Sequence, residues 1–140
     1  MLSVMVNRCF GGFGFSAHAE AEYRNRNGTG NISDICRHDA VMVQIVREMG
    51  SGASGRYSHV ELEDIPAEYV DHYIIQEYDG RESLVIQYDA YKVDTAKSIL
   101  KDQTITLKQR LARVSAVLNA ELAGGCTEEC GNVRSVAYPQ

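Results

Sequence analysis

From Leu2 to Arg8 the chain reads LSVMVNR, largely apolar and β-branched, which predicts a strand that stops at a glycine cluster. CFGGFGFS follows and opens SAHAEAEYRNRNG, a helix of about three turns with Ser16 as N-cap and Gly28 as stop. Asn27 to Ser33, NGTGNIS, has no hydrophobic period and reads as a flexible turn. In DAVMVQIVREM, Val41, Ile45 and Met49 share a stripe with Met42 and Val46, so a second helix runs from Asp39 to Met49 before Gly50, Gly52 and Gly55 open a loop. Tyr57 to Leu62 alternates as a strand does, and Pro66 closes it. YIIQEY and SLVIQY flank Asp79-Gly80-Arg81-Glu82, and Asp-Gly between two such runs predicts a β-hairpin.

After Val93 the period changes. Ala96, Ile99 and Leu100 make a short apolar stripe, and Leu107, Leu111, Val114, Leu118 and Leu122 then recur as one buried helix face that ends at Gly124-Gly125. The remaining CTEECGNVRSVAYPQ has no period and reads as an arm. The expected architecture is α/β of the α+β kind. A mainly antiparallel sheet of about four strands is packed by helices, with a long C-terminal amphipathic helix, in one domain over 1–123 and a tail over 124–140.

The 140 residues suffice for one globular domain that needs neither metal nor disulfide. No apolar run approaches the roughly 20 residues that span a bilayer, and MLSVMVNRC lacks the features of a secretory leader, so a cytoplasmic protein without membrane attachment is expected. A net charge of −5 argues against a partner of duplex nucleic acid, which demands a dominant positive surface. The charge is unevenly spread: residues 61–94 carry −8 and residues 95–123 carry +3. Two readings stand, complementary pairing between elements or subunits, and a basic helix offered to an anion.

All three phenylalanines, Phe10, Phe13 and Phe15, interleave with Gly11, Gly12 and Gly14 just before the helix that Ser16 caps. Such a turn can fill a core, or it can bring backbone amides to a phosphate while the rings stack on a base. Arg24 and Arg26 suit the C-terminal end of the first helix on dipole grounds alone. Arg110 and Arg113, with Lys108, lie on the last helix, where two guanidinium forks hold phosphates or a partner's acidic block equally well. None of His18, His38, His59 and His72 stands in a metal-binding pattern, and Cys36-Arg37-His38 is too close-set for two zinc ligands, so no metal or cofactor is expected. No Cys–His or Ser–His–Asp arrangement is visible from spacing, which leaves Cys9 beside the glycine turn as the one plausible nucleophile. Glu77, Asp79 and Glu82 crowd the hairpin turn and read as solvated surface.

NRCFGGFGFSAHAEAEY, GASGRYSHVELEDIP and EYDGRE, taken together, resemble a group of small phage and prophage proteins. The likeness runs from Asn7 to about Tyr88 and is to the first-described Thoeris anti-defence family, sponges that sequester cyclic nucleotide immune signals. It implies a homo-oligomer, a dimer or an assembly of dimers, in the cytoplasm of an infected bacterium. That assembly binds a cyclic ADP-ribose isomer or a cyclic di- or trinucleotide without cleaving it. The implied ligand-binding positions are Phe10, Phe13 and Phe15 for stacking, Gly11, Gly12, Gly14 and Ser16 at the turn, and Arg24, Arg26, Arg56, Arg110 and Arg113 for phosphates. The chain departs from the group in LVIQYDAY, which lacks the basic, tryptophan-containing continuation, and in its cysteine-bearing tail. The rivals are a protein-binding inhibitor of a host defence enzyme and a hydrolase of the same signal.

Overall fold

The computed structural model describes residues 1–26, 28 and 30–120 and divides the chain into two units, Met1–Gln87 and one that begins at Tyr88. In the first, β1 (Leu2–Asn7) pairs antiparallel with β2 (Val60–Ile65), Leu2 opposite Ile65 and Asn7 opposite Val60. Val4, Met5, Val6 and Asn7 are all buried. Both faces of β1 are therefore covered, which is why its sequence is an apolar run rather than an alternation. Tyr57 to His59 precede β2 and are not part of it; Ser58 turns back to donate to the Gly55 and Gly14 carbonyls.

Ser16 caps α1 (Ala17–Asn25) by accepting from the Ala19 amide, and Asp39 caps α2 (Ala40–Met49) by accepting from Met42. α2 sinks Met42, Val43, Ile45 and Val46 into a core with Met5, Ala19, Tyr23 and Val60, while Val41 and Met49 lie at its margin. Burying such side chains stabilises by about 1.5–3 kcal/mol each, so the stripe holds the helix more firmly than propensity could. The expected hairpin forms from β3 (Tyr73–Tyr78) and β4 (Arg81–Ile86), but its second strand begins right after the two-residue turn and stops at Ile86, so Tyr88, expected at the end of that strand, opens the following helix instead. Asp79 at φ 53° and Gly80 at φ 88° make its two-residue turn, with positive φ at both central positions, as the right-handed twist of the strands requires.

The strands form two antiparallel pairs, β1–β2 and β3–β4, not one sheet of four. The free edge of β1 is taken by one backbone carbonyl and two side chains. The Met5 amide donates to the Arg37 carbonyl, the Met5 carbonyl accepts from the Arg37 guanidinium, and the Asn7 amide donates to Glu82 Oε1 at 2.7 Å. Arg37 and Glu82 satisfy the backbone groups that a third strand would have used. Glu82 is accordingly no solvated turn residue: it is 4% exposed and holds Arg37 by two bonds of 2.7 Å.

The second unit is a helical hairpin, α3 (Tyr88–Lys101) and α4 (Leu107–Asn119). Thr106 and Gln109 form a reciprocal capping box at the start of α4. The leucine face of α4 is not buried as expected: Leu107, Leu111 and Leu118 are 62%, 56% and 48% exposed. Leu122, the Gly124-Gly125 stop, Cys126, Cys130 and the expected boundary at 123/124 lie outside the described residues. Among the described residues no helix is long and apolar enough to cross a membrane.

Candidate functional site

Three segments of the first unit meet at one place: the turn after β1, the loop before β2 and the β3–β4 tip. Asn7, fully buried, ties them. Its side-chain Nδ2 donates to the Gly80 carbonyl at 2.6 Å and to the Cys9 carbonyl at 2.8 Å, and its side-chain oxygen accepts from the His59 backbone amide at 2.7 Å. The Cys9 thiol donates to the Tyr57 carbonyl at 3.2 Å, so Cys9 serves as a tie here too. Two glycines permit the close approach. A Cβ on Gly11 would stand 1.7 Å from the Tyr57 carbonyl oxygen, and one on Gly80 would stand 2.6 Å from the Gly12 nitrogen. The Asn-x-Cys, glycine-turn and Asp-Gly-x-Glu patterns of the sequence are thus two sides of one joint.

Outside the joint stands a cluster of exposed rings and guanidinium groups. Phe10 is 59% exposed with Arg81 5.8 Å from its ring centre, and Tyr57 is 68% exposed with Arg56 at 5.4 Å. Tyr78, 79% exposed, is the cross-strand partner of Arg81, so their side chains share a face. Glu77 turns its carboxylate onto the Gly80 amide, and Arg8 engages Glu61 and Glu63. The space where a Cβ on Gly12 or Gly14 would stand is open. Flat apolar faces beside exposed, weakly hydrated cations suit a ligand that is both aromatic and anionic.

The other expected ligand residues go elsewhere. Phe13 packs edge-to-face on Phe15 at 5.0 Å and carries the Arg37 guanidinium 3.6 Å above its ring, while Phe15 belongs to the core. Phe13, Gly14 and Phe15 also line a groove of about 400 Å³ with Asn31 and Glu20. Ser16 spends its hydroxyl on the Ala19 amide and the Gly52 carbonyl. Arg24 reaches Glu20 at 3.6 Å, and Arg26 pairs with Glu22 and Glu48, both at 2.7 Å. Arg110 and Arg113 lie in the second unit, where Arg110 donates to the Leu100 carbonyl at the end of α3. Phe10, Gly11, Gly12 and Arg56 are therefore brought together, and Phe13, Phe15, Ser16, Arg24 and Arg26 are not.

Tyr57, Tyr78 and Arg81 were missed by sequence reasoning because each looked like ordinary strand or turn composition. The Asp-Gly turn was the available signal, since it fixes which side chains flank the tip. Among the described residues no three or more His, Cys, Asp or Glu side chains converge as metal ligands would. Compared with family models, curated proteins and solved structures, the chain matches none.

Proposed function

We propose that the protein binds a cyclic nucleotide signal and sequesters it uncleaved, as a phage counter-defence protein working in the host cytoplasm. The observation that carries this reading is the Phe10–Arg81 and Tyr57–Arg56 pairing around one joint. An aromatic face contributes about 1–3 kcal/mol per stacked base, and a guanidinium takes a phosphate by two parallel bonds. The joint beneath is tied by the Asn7 hydrogen bonds and leaves the rings exposed, an arrangement that lowers the ordering cost of binding. Self-association belongs to the same proposal: the bare leucines of α4 lie on a helix that also carries Lys108, Arg110 and Arg113, suited to another copy's acidic 61–94 block.

The test is a thermal-shift series against cyclic ADP-ribose isomers and cyclic di- and trinucleotides, with AMP and NAD as controls, followed by chromatography of what heat releases. Binding to the folded state raises the melting temperature by mass action. One cyclic ligand is expected to stabilise the protein and to be recovered intact. Phe10→Ala and Arg81→Gln should each weaken that ligand by about 1–3 kcal/mol, and Arg24→Gln should leave it unchanged. No shift with any cyclic ligand, or recovery of a hydrolysed product, overturns the proposal.

A further inference from the structure

On the segment between α1 and α2, Cys36 and His38 point to the same side, and β3 completes the group. Cys36 Sγ lies 3.3 Å from His38 Nε2, and His38 Nδ1 lies 2.7 Å from the Tyr73 hydroxyl. Tyr73 also meets the imidazole edge-to-face at 5.8 Å between ring centres. A nucleophile within reach of a base, with the base oriented by a third group, is the arrangement that activates a thiol. Spacing alone concealed it, since two residues apart looked wrong only for a shared zinc.

We propose that Cys36, His38 and Tyr73 form a reactive-thiol centre that exchanges with low-molecular-weight, anionic disulfides. With the ring proton on Nδ1 and bonded to the Tyr73 oxygen, Nε2 is free to accept the thiol proton. Burial, and then the neighbouring Cys36, push the Tyr73 phenol above its ordinary value, so it stays a neutral hydroxyl. In the exchange, His38 Nε2 takes the proton from Cys36 Sγ and the thiolate attacks one sulfur of the disulfide. That sulfur–sulfur bond breaks, a Cys36 mixed disulfide forms, and the departing thiolate takes the proton back from Nε2. Cys36 is oxidised to a mixed disulfide, and half of the reagent is reduced to a thiol. This chemistry needs open access to sulfur and a proton donor for the leaving group. Cys36 is exposed and His38 supplies the proton.

The anionic preference comes from the groove beside the imidazole. It measures about 340 Å³, and Ser3, Val43, Gln44 and Arg47 line it with His38. Arg47 is exposed; one terminal nitrogen donates to the Ser3 hydroxyl at 2.8 Å and the other reaches the Gln44 side-chain oxygen at 3.5 Å, a long bond that an incoming carboxylate can replace.

The experiment is exchange of the full chain with oxidised glutathione, followed by peptide mapping that resolves all four cysteines. Modification at Cys36 is expected to be at least tenfold faster than at Cys9. His38→Gln should lower the Cys36 rate about tenfold or more, with the melting temperature and the Cys9 rate unchanged. Arg47→Gln should slow oxidised glutathione and leave neutral 2-hydroxyethyl disulfide unaffected. Tyr73→Phe should alter the imidazole nitrogen shifts that report where the His38 proton resides. Should Cys36 react no faster than a free thiol, or as fast in folded His38→Gln, the centre does not exist. Equal slowing of both disulfides by Arg47→Gln overturns the anionic preference.

Discussion

α2 and α4 each carry an apolar stripe at helical spacing, and the two stripes meet opposite fates. In α2 the stripe of Met42, Val43, Ile45 and Val46 is spent inside its own unit. In α4 the leucines face outward, and no residue of the helix is buried. Periodicity therefore reports that a helix has one apolar face, and it does not report what covers it. A closed stripe belongs to the stability of one chain, while an open stripe belongs to whatever docks there.

The largest expected effect lies where the first unit is closed by charge. Glu82→Ala leaves Arg37 without its buried partner and should cost about 3–5 kcal/mol in urea unfolding. Replacing both with Met removes the stranded charge but still takes the acceptor from the Asn7 amide, so part of that loss should persist. On the α2 side, Ile45→Ala should cost about 2–5 kcal/mol. Leu111→Ala on α4 should change unfolding by no more than about 0.5 kcal/mol but shift sedimentation toward the monomer. Equal losses at Ile45 and Leu111 would erase the contrast. Thr106→Ala removes the capping box and should cost the second unit about 1 kcal/mol, read by helix circular dichroism.

The smallest effect concerns α1 and α2 together. The Arg26 hydrogen bond, aided by Gln44, holds the Glu48 carboxyl below the usual carboxylate range. A carboxyl depressed by folding stabilises above its unfolded pKa, and that contribution disappears as pH falls through the folded value. The gap in urea midpoint between wild type and Arg26→Gln should therefore be present at neutral pH and vanish in acid.

What the sequence made legible was local. Ser16 announced the helix it caps, the apolar stripe announced α2, and Asp79-Gly80 announced a turn that the φ angles match. What stayed hidden was long-range. Nothing near Glu82 shows that Arg37, 45 residues away, will bury it, or that the two together will occupy a strand edge. The ring cluster was half legible, because Phe10 stood out by type and Arg56 entered through the family resemblance, whereas Tyr57, Tyr78 and Arg81 acquire meaning only once the joint forms. His38 and Tyr73 are 35 residues apart and were hidden for the same reason.

The bond between the Asn7 amide and Glu82 spans 75 residues of chain, and this has a kinetic side. The hairpin that carries Glu82 can zip on the scale of about 1–10 μs, since its turn is only two residues. Docking it onto β1 requires closing almost the whole first unit, and contacts so far apart in sequence form slowly. During synthesis β1 emerges well before Glu82, and the Asn7 amide at its edge lacks this partner until the hairpin has left the ribosome. A ribosome paused between the two would hold β1 with that part of its edge unsatisfied.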